Sequence, residues 1–243
     1  MKARAGSIAR LLCLALWLAL AASADAQGVE GRRYTLGPFD ALSISGSATV
    51  RLVQGGEDSV VIEGDDEVQE AIRLDVDDGV LRVRPSGAWK FWRSKQLQMT
   101  VTARELKRLE ISGAADIVAA EPVRVKQLQV RIAGSGTVRL DKLRTEKLEV
   151  SIAGVGNAQF AGSTDQLALR IAGRGVYLGE NFASQSATIS VSGAGDVKVW
   201  ATKELTATVS GVANVEFWGP AAVRRNSSGL TNWVDRGDKR AAP

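Results

Sequence analysis

The stretch Leu148-Glu149-Val150-Ser151-Ile152-Ala153-Gly154-Val155-Gly156-Asn157-Ala158-Gln159-Phe160 decides how the chain is read. Apolar and polar residues alternate on both sides of an Ala-Gly-Xaa-Gly turn. That period of two belongs to a strand with one buried face. Gly154 recurs as Gly113, Gly134, Gly173, Gly193 and Gly211, with a worn copy at Gly229, in steps of 21, 20, 19, 20, 18 and 18 residues. Two residues before these markers stand Ile111, Ile132, Ile152, Ile171, Val191 and Val209, and four before them Leu109, Val130, Val150, Leu169, Ile189 and Ala207. The residue before each marker is Ser or Ala, and the one two after it is Gly or Ala. A glycine at the marker also permits the positive φ that tight turns use.

A unit of this length cannot bury its apolar face alone, whereas stacked copies can, so the fixed period indicates a solenoid. The expected fold is all-β: a right-handed parallel β-helix with about 20 residues per coil and an N-terminal capping insertion. No six-residue sub-period marks a left-handed hexapeptide helix, and a propeller blade needs about 40 residues. A β-sandwich is the rival arrangement of regular short strands. Small residues at fixed offsets speak against it.

Outward from the repeats, Met1–Ala26 reads as a secretory leader. Lys2, Arg4 and Arg10 precede an apolar run from Leu11 to Ala22, and Ala24-Asp25-Ala26 supplies the cleavage pattern. Residues 27–38 form a lead, 39–105 an N-terminal coil with the capping insertion, 106–234 the repeats, and 235–243 a charged, disordered tail. Leu42 to Val50, around Gly46, is a detached first copy of the repeat. A short helix is expected from Asp65 to Ile72. A hairpin is expected between Leu74–Val76 and Val80–Val83 across Asp77-Asp78-Gly79. A further strand is expected from Leu97 to Ala103. The insertion would protect an otherwise open sheet edge.

Behind the leader, 28 basic residues face 26 acidic ones, a balance that implies no nucleic-acid surface. The chain has no histidine, and its one cysteine, Cys13, lies in the leader. Metal or haem ligation through His or Cys, and Ser-His or Cys-His catalysis, are excluded from the mature chain. No later apolar stretch has transmembrane length, and no cofactor or metal site is predicted.

Three residues after the markers stand Asp116, Thr137, Asn157, Val176, Asp196 and Asn214. A calcium site or paired catalytic acids could use such a ladder, but these residue types more often bond turn backbone. Asp65, Asp66, Glu67 and Glu70, and Asp75, Asp77 and Asp78, read likewise as helix-start and hairpin residues. No catalytic constellation emerges. Trp200 and Trp218 each lie seven residues after their marker and should sit side by side. Trp89, Phe91 and Trp92 lie among Lys90, Arg93 and Lys95. These five aromatics are the candidate ligand-binding residues, suited to a sugar or a membrane headgroup. The structural alternatives are a packed corner for the pair and a folded-back flap for the loop.

Phe39 to Val50, Val60 to Asp66 and Gly79 to Val83, followed by the Ile-Ser-Gly-Ala and Ile-Ala-Gly-Xaa-Gly repeats, resemble the DUF2807 family, labelled a putative auto-transporter adhesin, head GIN domain. The resemblance spans nearly all of residues 36–230. It implies a bacterial envelope protein, exported to the periplasm or cell surface, on a right-handed β-helix, and it brings no catalytic motif. The function expected is a non-enzymatic envelope or cell-surface module that binds a glycan or a protein partner. A polysaccharide lyase or hydrolase is one alternative, but outward Arg131 and Arg170 lie two coils apart with no acid pair between them. A structural envelope factor that self-associates through a sheet edge is the other.

Overall fold

The computed structural model describes residues 31–64, 66–86 and 97–239. The leader and the aromatic loop at Trp89, Phe91 and Trp92 lie outside the described residues. In chain order the elements are β1 Gly31–Thr35, β2 Ala41–Ile44, β3 Ser47–Gln54, β4 Ser59–Glu63, α1 Asp66–Glu70, β5 Ile72–Asp77, β6 Val80–Pro85, β7 Leu97–Ala103, β8 Arg108–Ile111 and β9 Ala114–Ala119. There follow β10 Val123–Ile132, β11 Ser135–Ile152, β12 Val155–Ile171, β13 Arg174–Val191, β14 Ala194–Val209, β15 Val212–Trp218, β16 Ala222–Ser227 and β17 Leu230–Asp235.

The repeats build a parallel β-solenoid of about six turns with about 20 residues per turn. Each long strand is nearly one whole coil. Ser135–Leu140 pairs with Val155–Phe160, and the rest of β11 pairs with Gly162–Ile171, all in parallel register. Equivalent repeat positions therefore fall directly above one another: Leu109, Val130, Val150, Leu169, Ile189 and Ala207 form one buried column, and Ile111, Ile132, Ile152, Ile171, Val191 and Val209 the next. Both columns follow from the alternation, because residues two apart share a strand face.

The marker glycines form the tightest column. A Cβ on Gly134, Gly154, Gly173, Gly193 or Gly211 would lie 1.8–2.1 Å from the carbonyl oxygen of the preceding marker. None of them has positive φ, which corrects the expectation of a left-handed turn. What the position requires is room for a backbone. The crowding oxygen is also a hydrogen-bond acceptor: Gly134 O accepts from the Val155 N–H at 3.0 Å, and Gly154 O from Arg174 at 2.9 Å. Two residues further on the demand varies from coil to coil: a Cβ on Gly136 would lie 2.2 Å from the Ala115 carbonyl oxygen. A Cβ on Gly156 would meet the Ile132 side chain at 2.8 Å, and Ala115 and Ala213 occupy that column in other coils.

Three aromatic side chains meet in the core. Phe160 packs on Tyr177 and Phe182, with ring centroids 5.9 and 5.8 Å apart. Gly179 leaves room for the phenol; a Cβ there would lie 2.5 Å from the ring of Tyr177.

The N-terminal end is closed. β6 and β7 add a parallel layer beneath β2 and β3, and β5, β4 and β1 then pair antiparallel. The hairpin between β5 and β6 turns on Asp78 (φ 49°) and Gly79 (φ 73°), as Asp-Gly predicts. Asp58, with a side chain 4% exposed, accepts from the Arg104 backbone N–H at 2.9 Å and from its guanidinium at 2.7 and 2.9 Å. Burial alone would push this carboxyl up. The Arg104 bonds and charge, with the Phe39 N–H, more than offset that and hold it below its ordinary value.

The C-terminal end differs. β16 pairs only with β14, and β17 only with β15, among the described residues. Arg225, Ser227 and Asp235, all exposed, register with Ala207, Val209 and Phe217, while Val223 and Trp233 keep apolar residues over Leu205 and Val215, so the inward columns become mixed in the last coil. Trp233 is half-buried against the core, with the Arg225 guanidinium 5.8 Å from its ring.

Gly154→Ala should cost roughly 3 kcal/mol or more, while Gly56→Ala, where no atom lies within 4 Å of a Cβ, should change stability by no more than about 0.5 kcal/mol. Urea unfolding of both variants checks this. Asp58→Asn should cost about 1–3 kcal/mol at neutral pH. Because the folded pKa is depressed, the contribution is full above the ordinary value of 3.8 and is lost as pH falls through the lower folded value. The stability gap between wild type and variant, followed by denaturant unfolding from pH 7 downward, should therefore close at low pH.

Candidate binding site

The turn ladder bonds from coil to coil rather than to its own turn backbone. Asp116 Oδ1 accepts from the Thr137 N–H at 3.1 Å, and Asp196 Oδ1 from the Asn214 side-chain amide at 2.8 Å. Among the described residues no three carboxylates converge as metal ligands.

A groove of about 830 Å³ opens where one coil is short. Residues 104–107 join β7 to β8 directly, so the first half of β10 has a strand on one side only: it pairs with Leu143–Lys147 of β11. Gln54 completes the other side. Its Nε2 donates to the carbonyls of Arg104 and Arg124 at 3.2 and 3.0 Å, and its Oε1 accepts from the Arg124 N–H at 2.8 Å. An amide side chain thus stands in for a strand edge. The rim mixes charges. Lys107 pairs with Asp40 at 2.5 Å and Lys147 with Glu149 at 2.6 Å. Arg108, Arg124 and Lys126 line the same groove with no carboxylate at ion-pair distance among the described residues. Its floor includes apolar Leu106 and Leu128.

The second surface is the tryptophan corner. Trp200 and Trp218 are register partners, as their equal offsets predict. They do not form an open platform. Trp200 is 5% exposed and Trp218 half-buried. Residues 236–239, expected in a disordered tail, run back along this corner. The Arg236 N–H donates to Phe217 O, Arg236 Nε bonds Glu216 at 2.9 Å, and Gly237 O accepts from the Gly219 N–H. Lys239 Nζ then lies 5.6 Å from the Trp200 ring centroid and 5.8 Å from that of Trp218. It donates to Glu180 O at 2.7 Å and to Asn181 Oδ1 at 2.8 Å. Trp200 Nε1, Glu180 Oε2 and Tyr177 OH in this region are buried and have no hydrogen-bond partner among the described residues. Burial, with the Glu180 charge adding to it, pushes the Tyr177 phenol far up. Sequence reasoning missed the groove and the Lys239 contact.

Residues 38–221 match DUF2807, described as "Putative auto-transporter adhesin, head GIN domain", and the chain belongs to that family. No curated protein matches it. A solved putative adhesin from Bacteroides fragilis is similar at a TM-score of 0.79 and 22% identity, over 85% of this chain and 96% of that one. A putative lipid binding protein from Parabacteroides distasonis is similar at 0.68 and 16%, over 85% and 96%. A putative adhesin from Parabacteroides merdae is similar at 0.64 and 22%, over 85% and 95%. At these identities the likeness establishes the solenoid fold.

Gln54→Ala should lower stability by about 1 kcal/mol and speed amide hydrogen exchange at Arg124, leaving the exchange of Val150 and Ile152 unchanged.

Proposed function

We propose that the protein is a non-enzymatic, exported envelope or cell-surface module that binds a glycan or protein partner on its rigid flank. The groove beside Gln54 carries this reading. It joins an apolar floor to Arg108, Arg124 and Lys126, which have no carboxylate at ion-pair distance among the described residues, beside Asp78, Glu105 and Glu146, which likewise have no ion pair there, and such charged side chains are available to an external partner. A solenoid holds such a surface without reorganisation, which lowers the ordering cost of binding. Membership of an adhesin-labelled family supports the same direction. Trp89, Phe91 and Trp92 are proposed as additional contacts, since aromatics among basic residues suit sugar stacking.

Titrating residues 27–243 with envelope glycans and purified surface proteins, with tryptophan fluorescence as the signal, tests the proposal. The expected result is saturable binding, weakened about tenfold or more by Arg124→Ala/Lys126→Ala, with no new reducing or unsaturated sugar ends. Product formation, or binding untouched by both that variant and Trp89→Ala/Trp92→Ala, would overturn it.

A further inference from the structure

The tryptophan corner has the composition of a receptor for an ammonium group. Two indole faces lie within cation–π range of Lys239 Nζ. A backbone carbonyl and an amide oxygen accept its protons at 2.7 and 2.8 Å. A carboxylate oxygen of Glu180 is buried nearby without a partner, and buried polar atoms are nearly always partnered. Trp200, which forms the inner wall, is 5% exposed.

The lysine that fills the site belongs to a short segment beyond the last strand. It follows Asp235, where β17 ends, and its segment is tied down by the Arg236 and Gly237 backbone bonds and the Arg236–Glu216 pair. Segments with so few buried contacts open locally at small cost. Opening would free both ring faces, both oxygens and the Gly219 N–H together.

Deepening the binding reading above, on which it rests, we propose that this corner is a lysine-recognition site, closed by the chain's own Lys239 and opened to a lysine on an extended segment of a partner protein. The occupant class follows from the contacts. Two oxygen acceptors at hydrogen-bond distance require N–H donors, so the site selects a primary ammonium over a quaternary one. The occupant also enters on extended backbone that bonds Gly219 and Phe217, as residues 236 and 237 do. A tethered competitor acts at high effective concentration, so removing it should unmask the site.

The test uses the full chain and a variant ending at Asp235, which removes the backbone bonds of residues 236 and 237 together with Lys239, with circular dichroism confirming that both fold. The probe is an acetylated, amidated peptide of residues 235–239, alongside versions carrying norleucine or trimethyl-lysine in place of the lysine. Choline-headgroup and ethanolamine-headgroup vesicles serve as lipid controls. The expected result is a saturable fluorescence change in the variant ending at Asp235 with the lysine peptide, at least about tenfold tighter than in wild type. The trimethyl-lysine peptide should bind about tenfold more weakly and the norleucine peptide not at all. Equal binding of norleucine or trimethyl-lysine, no gain in the variant ending at Asp235, or preference for either vesicle would overturn the proposal. The peptide readout needs no natural partner, so its failure is distinguishable from failure of the groove titration.

Discussion

Everything in this molecule depends on how closely one backbone can approach the next at the marker glycines. The carbonyl of each marker crowds the place where a Cβ of the following marker would stand, at 1.8–2.2 Å along the column from Gly46 to Gly229. The same carbonyls of Gly113, Gly134, Gly154, Gly173 and Gly193 accept a hydrogen bond from the residue after the next marker. Bonding and crowding are two sides of one contact, which is why the position takes no other residue. Because a slip of one residue would bring side chains into this column and turn every apolar side chain outward, the glycines fix the register of all the coils.

The two ends of the stack solve the edge problem in different ways. At the N-terminus the insertion first continues the parallel layer with β6 and β7 and then reverses direction through β5, β4 and β1. At the C-terminus the edge stays unpaired among the described residues, and its inward positions change character instead: Arg225 and Asp235 stand above Ala207 and Phe217.

The period, the inward columns, the hairpin at Asp78-Gly79 and β7 were legible in the sequence because each depends on neighbours in the chain. The reason for the glycines was not: smallness at Gly154 is visible, but whether it serves φ or space depends on a carbonyl 20 residues away. The groove was illegible for a similar reason. Gln54 finds its partners 50 and 70 residues further on, and no local pattern marks an amide that will stand in for a strand. Equal offsets placed Trp200 beside Trp218, but nothing local indicated that Lys239 would cover them. A charged terminal segment reads as a solvated tail until its contacts with coils two turns apart are seen.

The measurement that reaches the central claim most directly is residue-resolved amide hydrogen exchange along the solenoid under native conditions. If marker carbonyls hold the register, the amides of Ser135, Val155, Arg174, Ala194 and Val212, which donate to them, should exchange among the slowest in the chain, with the central coils most protected. Rapid exchange at these amides while the flanking strands stay protected would show that the glycine column is a passive gap, and would contradict the account.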